Sequence, residues 1–92
     1  MEIGGRHVFL MDLAVDLHNA ERNLQNVKYH GIADKEEVQD AKELVEELRE
    51  HMRRATVKDL TEDLCLTLRG VKPRYPKTMG GEKLLFRYKS NW

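Results

Sequence analysis

Two runs of apolar residues, spaced alternately by three and four positions, constrain this chain more than any other feature. The first run lies within residues 10–27 and the second within residues 38–55. Such spacing places each run on one stripe of an α-helix of about five turns or more. The stripes consist of Leu10, Leu13, Leu17, Ala20, Leu24 and Val27 in the first helix, and Val38, Ala41, Val45, Leu48, Met52 and Ala55 in the second.

The residues between the two stripes predict a short connection. Gly31 is suited to the left-handed conformation that ends a helix, and Asp34 is suited to cap the next one. Glu37 follows Asp34 by three residues and completes a capping-box pattern. Because so short a connection forces neighbouring helices, we predict an antiparallel two-helix hairpin, packed stripe against stripe.

The residues after the hairpin fit two kinds of secondary structure. Apolar residues recur at helical spacing over residues 57–68, with Thr56 placed as the N-cap and Gly70 just beyond the end. Residues 64–70 also alternate as a half-buried strand would. We predict a shorter third helix and keep the strand as the alternative. The only cysteine, Cys65, lies among leucines, which favours a buried and unreactive thiol.

Residues 71–92 differ in charge from the rest of the chain. Residues 1–70 contain 10 basic and 15 acidic side chains, whereas residues 71–92 contain 6 basic and 1 acidic. Pro73 and Pro76 favour an extended backbone, and the alternation over residues 83–89 is typical of a short strand. We therefore predict a small C-terminal β element or extended arm, which is basic and rich in aromatic residues.

With 92 residues, the chain is long enough for one core. We expect a mainly α fold of one domain, with a helical body over residues 1–70 and the basic aromatic arm over residues 71–92. The predicted helices cover about residues 6–29, 34–54 and 57–69.

Apolar residues off the first stripe suggest self-association. Val8, Phe9, Met11 and Val15 make the first half of helix 1 apolar nearly all round, but a hairpin covers only one side of it. The cover could come from the third helix and the C-terminal segment, from a second copy, or from both. We predict a homodimer that uses these four residues.

No catalytic residue, cofactor or metal site is expected. Asp12 and Asp16 could help to line a metal site inside a helical bundle, but the stripe positions that would supply further ligands are apolar. Two glycine pairs, at 4–5 and 80–81, lack the spacing of a phosphate-binding loop. No apolar run is long enough to span a membrane, and one cysteine without a signal peptide favours the cytoplasm.

The remaining features predict a small non-enzymatic protein-interaction module, an adaptor or regulator that contacts a protein partner through its helical surface and its arm. The alternative is a nucleic-acid-binding protein, whose arm contacts phosphates and stacks aromatic rings on bases. The arm could also fold back on the chain's own acidic second helix. The predicted partner-binding residues are Arg74, Tyr75, Lys77, Phe86, Arg87, Tyr88 and Trp92.

Overall fold

A computed structural model describes residues 1–31, 34–75 and 80–90. Over these residues the order of elements is β1 (Glu2–Ile3), β2 (Arg6–His7), α1 (Leu10–His30), α2 (Lys35–Arg54), α3 (Val57–Leu68) and α4 (Gly81–Tyr88). The expected mainly helical fold is confirmed. The strand alternative for residues 64–70 is wrong, because α3 remains helical through residue 68.

The two long helices contact each other, and residues of both predicted stripes belong to the buried core. Leu10, Leu13 and Leu17 of α1 are at most 2% exposed, and Val45 of α2 is equally buried. The predicted caps at Gly31 and Asp34 are also present, although Asp34 and Glu37 form only one of the two hydrogen bonds of a capping box. The Asp34 side chain accepts a hydrogen bond from the backbone of the third residue of α2, and α1 ends at a glycine in the left-handed conformation. These local signals therefore set the limits of the connection between the two helices.

The start of the first helix differs from the prediction. α1 begins at Leu10 rather than near residue 6, because residues 2–7 form an antiparallel β-hairpin in which Ile3 pairs with Arg6. Gly4 and Gly5 form its two-residue turn, with φ values of 59° and 78°. A type I′ turn needs positive φ at both central residues, which glycine adopts without steric cost.

The C-terminal segment also differs from the prediction. Residues 81–88, expected to be a β element or extended arm, form α4, which packs on α1. Leu84, Leu85 and Tyr88 share one face of this helix and join the core, and Leu85 is 3% exposed. Over so few residues, the apolar side chains fit both the spacing of a helix face and the alternation of a strand. A helix satisfies its own backbone hydrogen bonds, whereas a lone strand needs a partner.

The apolar surface off the first stripe is covered within the chain. Phe9 and Val15 are 5% and 2% exposed, while Val8 and Met11 are half-buried. Gly81 permits α4 to approach this side of α1, since a Cβ added there would lie 3.1 Å from the Met11 Cβ and 3.6 Å from a Val15 methyl carbon. The single chain thus already covers the surface from which a second copy was inferred.

No helix in the described part of the chain combines the length and the apolar character that crossing a membrane requires.

Candidate interaction surface

The outward side of α3 presents a row of apolar side chains to solvent. Val57, Leu64 and Leu68 are 56%, 58% and 88% exposed. Together with the exposed Thr61 they are spaced by four, three and four residues, so they share one face of the helix. We call these four residues the outer stripe. Large apolar side chains exposed together on one helix face are typical of a docking site.

The opposite side of α3 buries an acid. Asp63 is 5% exposed, and its Oδ2 accepts a hydrogen bond of 2.7 Å from the backbone N–H of Leu10. Its other oxygen, Oδ1, lies 2.8 Å from Nε2 of His7. The residue at the N-cap of α1, Phe9, supplies no capping side chain. Asp63 therefore caps α1 from another helix, and its carboxylate suits the positive end of the helix dipole.

The start of α3 is held by a capping box. The backbone N–H of Thr56 donates to Oδ2 of Asp59 over 2.8 Å, and the backbone N–H of Asp59 donates to the Thr56 hydroxyl over 3.4 Å. Leu60 is half-buried against the core on the same inner side. The cap, Leu60 and Asp63 together orient α3 about its axis, and this orientation turns the outer stripe towards solvent.

The prediction of a buried Cys65 is wrong. Cys65 is exposed beside the outer stripe, because Asp63 occupies the inward position and the following leucine and cysteine turn outward. A second row of exposed residues runs along this side of the helix at the same spacing, one position later. We call it the flanking row, and it consists of Lys58, Glu62, Cys65 and Arg69.

Two arm residues are bound by carboxylates of α1. Asp12, which is 6% exposed, accepts the backbone N–H groups of Arg74 and Tyr75 at 2.8 and 3.0 Å. The Arg74 Nη2 lies 2.8 and 3.0 Å from the two carboxylate oxygens of Asp16. The Tyr75 hydroxyl also donates a hydrogen bond to one of these oxygens, Oδ1. The acids considered as metal ligands thus hold residues 74–75. These residues fold back on α1 rather than on the acidic α2.

The electrostatics of these contacts favour the protonated forms of the side chains. The hydrogen bond to Asp16, with partial burial, raises the pKa of the Tyr75 hydroxyl. The hydrogen bond with Tyr75 and the charge of Asp16 raise the pKa of Arg74. On α4, burial raises the pKa of Tyr88 to about 12, assisted by the charge of Glu21 and by a 3.2 Å hydrogen bond to it.

The described members of the predicted partner-binding set differ in their surroundings. Arg74 and Tyr75 are engaged with α1, and Tyr88 is half-buried beside α1. Phe86, which is 63% exposed, and Arg87 face solvent on α4. The other two members of the set, Lys77 and Trp92, lie outside the described residues.

The outer stripe of α3 was not predicted, because the apolar spacing over residues 57–68 indicates a helix without showing which of its faces turns outward. A signal was present in the sequence. Apolar residues extend over more of the circumference of α3 than one contact face needs, and Asp63 interrupts them on one side. The side of α3 that turns inward depends on the backbone N–H of Leu10, which needs a hydrogen-bond acceptor. Leu10 lies 53 residues away from Asp63 along the chain.

Comparison of the chain with protein-family models, with curated proteins and with solved structures gave no match. Within the residues that the structure describes, no group of three or more His, Cys, Asp or Glu side chains is placed to hold a metal ion.

Proposed function

We propose that the chain is a small non-enzymatic protein-interaction module, an adaptor or regulator, which binds a protein partner on the outer stripe of α3. In this proposal α1 and α2 form an antiparallel hairpin that serves as the scaffold. The observation that carries it is the orientation of α3, which buries Asp63 and exposes Leu64 and Leu68. Burial of a leucine side chain contributes about 1.5–3 kcal/mol, so a partner that covers both gains substantial free energy.

A specific contact on the opposite side of α3 favours the exposure of these leucines. Leu10, whose N–H binds Asp63, is 0% exposed. Rotating α3 to bury Leu64 would remove Asp63 from this N–H and leave a buried donor without an acceptor. Such a group costs about 1–3 kcal/mol, which opposes the rotation. The outer stripe is therefore an exposed surface held in place by the fold.

Exposed residues of α4 offer a second contact in the same proposal. Phe86 and Arg87 belong to residue types that often anchor protein interfaces, and both face solvent. Both belong to the predicted partner-binding set and lie on the exposed side of α4.

The nucleic-acid alternative has less support. The guanidinium of Arg74 and the hydroxyl of Tyr75 are both bound to Asp16, whose negative charge opposes phosphate binding at this point. The isoelectric point of about 6.9 is also well below that typical of nucleic-acid-binding domains.

Site-specific photo-crosslinking tests the proposed function. A photoreactive amino acid would replace Leu68 on the outer stripe or, as the matched control, Tyr29 on α1, which is 92% exposed. In cells that produce the protein, we expect protein adducts from position 68 and none from position 29. Adducts from neither position, or equally from both, would contradict the proposal. Adducts with nucleic acid alone would favour the alternative.

A further inference from the structure

We propose that the groove between α1 and α2, on the side away from α4, binds an amphipathic helix of another protein. The bound helix carries apolar side chains on one face and basic side chains beside them. The groove has a volume of about 460 Å³. It is separate from the outer stripe of α3, so it gives the module a second binding surface beyond the proposed function.

The hairpin of α1 and α2 has two long sides, and α4 lies on one of them. At the start of α4, Gly81 lies beside Met11 and Val15 of α1, and near its end the Tyr88 hydroxyl donates to Glu21. The groove is lined by other positions of α1, namely residues 16, 19, 20 and 23. At 3.6 residues per turn, these positions belong to a different face of α1 from the residues that α4 contacts.

The floor of the groove is apolar. Leu44 and Leu48 of α2 and Ala20 of α1 form it. The two leucines are four residues apart, so they lie one above the other on the helix. Leu44 is 46% exposed and Leu48 is half-buried. A partner that covers them gains part of the about 1.5–3 kcal/mol that complete burial of each leucine provides.

The α1 side of the groove offers hydrogen-bonding groups. Asn19 and Asn23 are both exposed and lie about one turn apart. Within the described part of the chain, neither of their side-chain amides has a hydrogen-bond partner. An amide both donates and accepts hydrogen bonds, so these two residues are open to polar side chains of a bound helix.

The α2 side of the groove determines the charge of the partner. Asp40 and Glu47 are exposed and lie about one helical turn before and after Leu44. Among the described residues, neither carboxylate forms an ion pair with a lysine or an arginine. Glu47 lies 3.9 Å from His51, which is charged only when protonated. The apolar floor is therefore flanked by negative charge that the fold leaves without a strongly basic partner.

The basic side chains of α2 lie towards α4 instead. Lys42 and Arg49 are seven residues apart and share one side of the helix. Arg49 pairs with Glu21, the same residue that binds Tyr88 of α4. Arg74, beside the groove, is bound to a carboxylate of α1. The charge of the open groove thus complements basic side chains, and such complementarity favours a basic partner over an acidic one.

The other side of the hairpin shows why the expected occupant is a helix. There α4 packs on α1 and contributes Leu84, Leu85 and Tyr88 to the core. A groove between two antiparallel helices accepts the side-chain ridge of a third helix in this way. Residues 16 to 23 of α1 span about 10 Å along the helix axis, which corresponds to two turns of a bound helix. For so short a contact we expect a Kd on the order of 10–100 μM.

Titration of the isotope-labelled full chain with a synthetic peptide tests this site. The peptide is a helix of about 14 residues, with leucines on one face, lysines on both flanks and alanines elsewhere. Its counterpart has glutamates in place of the lysines. NMR spectra should show that the lysine peptide shifts the side-chain amide signals of Asn19 and Asn23. Fluorescence anisotropy should show that the glutamate peptide binds at least about tenfold more weakly.

Two double variants with the same net charge test the role of the flanking acids. Asp40→Lys with Glu47→Lys should weaken binding of the lysine peptide about tenfold and strengthen binding of the glutamate peptide. The matched control is Glu43→Lys with Glu46→Lys, which makes the same change in charge further from the groove. The control should alter the affinity for the lysine peptide no more than about twofold, because solvent screens charges outside the contact.

A pair of leucine variants tests the apolar floor. Leu44→Gln should weaken binding of the lysine peptide about tenfold while circular dichroism shows an unchanged fold. Leu64→Gln, on the outer stripe of α3, should leave the affinity for this peptide unchanged. The two variants therefore separate the groove from the surface named in the proposed function.

Three results would overturn the proposed groove site. The first is the absence of binding of the lysine peptide to the wild type. The second is an equal loss of affinity in the two double variants, since net charge alone would then attract the peptide. The third is self-association of the chain that Leu44→Gln abolishes, because a second copy would then occupy the groove. None of these results changes the adducts expected from position 68, which test the proposed function separately.

Discussion

Replacing Asp63 with alanine tests how the orientation of α3 is determined. The change removes the acceptor of the Leu10 N–H, a donor in a residue that is 0% exposed. A buried donor without a partner costs about 1–3 kcal/mol, and the lost hydrogen bond with His7 adds about 1 kcal/mol. Loss of the charge at the N-terminus of α1 contributes roughly 0.3–1 kcal/mol, part of which is already included in the first value.

Together these effects predict that Asp63→Ala lowers the free energy of unfolding by about 2–4 kcal/mol. For a chain of this size each kcal/mol corresponds to roughly 4–8 °C, so the melting temperature should fall by about 10–30 °C. Asp63→Asn should have a smaller effect, because the amide oxygen can still accept the hydrogen bond from Leu10 although the charge is lost.

Urea unfolding, followed by circular dichroism at low micromolar protein concentration, measures these free energies. The matched control is Glu62→Ala, which removes the neighbouring but exposed acid and should change stability by no more than about 0.5 kcal/mol. If Asp63→Ala is no more destabilising than the control, Asp63 does not hold α3 in place. The outward orientation of the leucines would then have another cause.

Three further predictions concern the contacts of α1 and α4. Gly81→Val should lower the free energy of unfolding by about 1–3 kcal/mol, since even a Cβ there would lie 3.1 Å from the Met11 Cβ; an unchanged thermal melt would contradict this. Asp12→Ala should cost about 2 kcal/mol and exceed Asp16→Ala in urea unfolding, because Asp12 is buried and accepts two backbone N–H groups. Equal losses would refute that ranking. Because folding raises the pKa of Tyr88 to about 12 from 10.0, the Tyr88 hydroxyl contributes stability that is complete below pH 10 and is lost as pH rises towards 12. Tyr88→Phe should therefore flatten the alkaline decline in melting temperature, and an unaltered slope would argue against it.

Most of the scaffold was predictable because its signals are local. Apolar spacing identified the buried stripes of α1 and α2, and Gly31 and Asp34 marked the connection between them. The capping pattern at Thr56 likewise marked the start of α3. Each signal involves residues within one or two helical turns, so it can be read without knowledge of distant contacts.

The errors occurred where one pattern allowed two structures. Residues 84–88 satisfy both a strand-like alternation and a helical face, and their helix is supported by packing of Leu85 against α1. The Gly4-Gly5 pair was considered only as a possible phosphate loop, although it is also a signal for a two-residue hairpin. The outer stripe of α3 was not predicted. Of the predicted partner-binding residues, Phe86 and Arg87 are exposed, whereas Arg74 and Tyr75 are engaged with α1.

By itself, the sequence determined that the chain is mainly helical, where its longest helices lie and which of their faces are buried, because helix periodicity and capping act over a few residues. Only the tertiary structure decided which side of α3 faces solvent. That choice depends on the Leu10 N–H, which needs an acceptor and finds one in Asp63, far along the chain. A buried polar group without a partner costs free energy, so pairing of this N–H favours one orientation of α3, and spacing alone does not reveal where that partner lies.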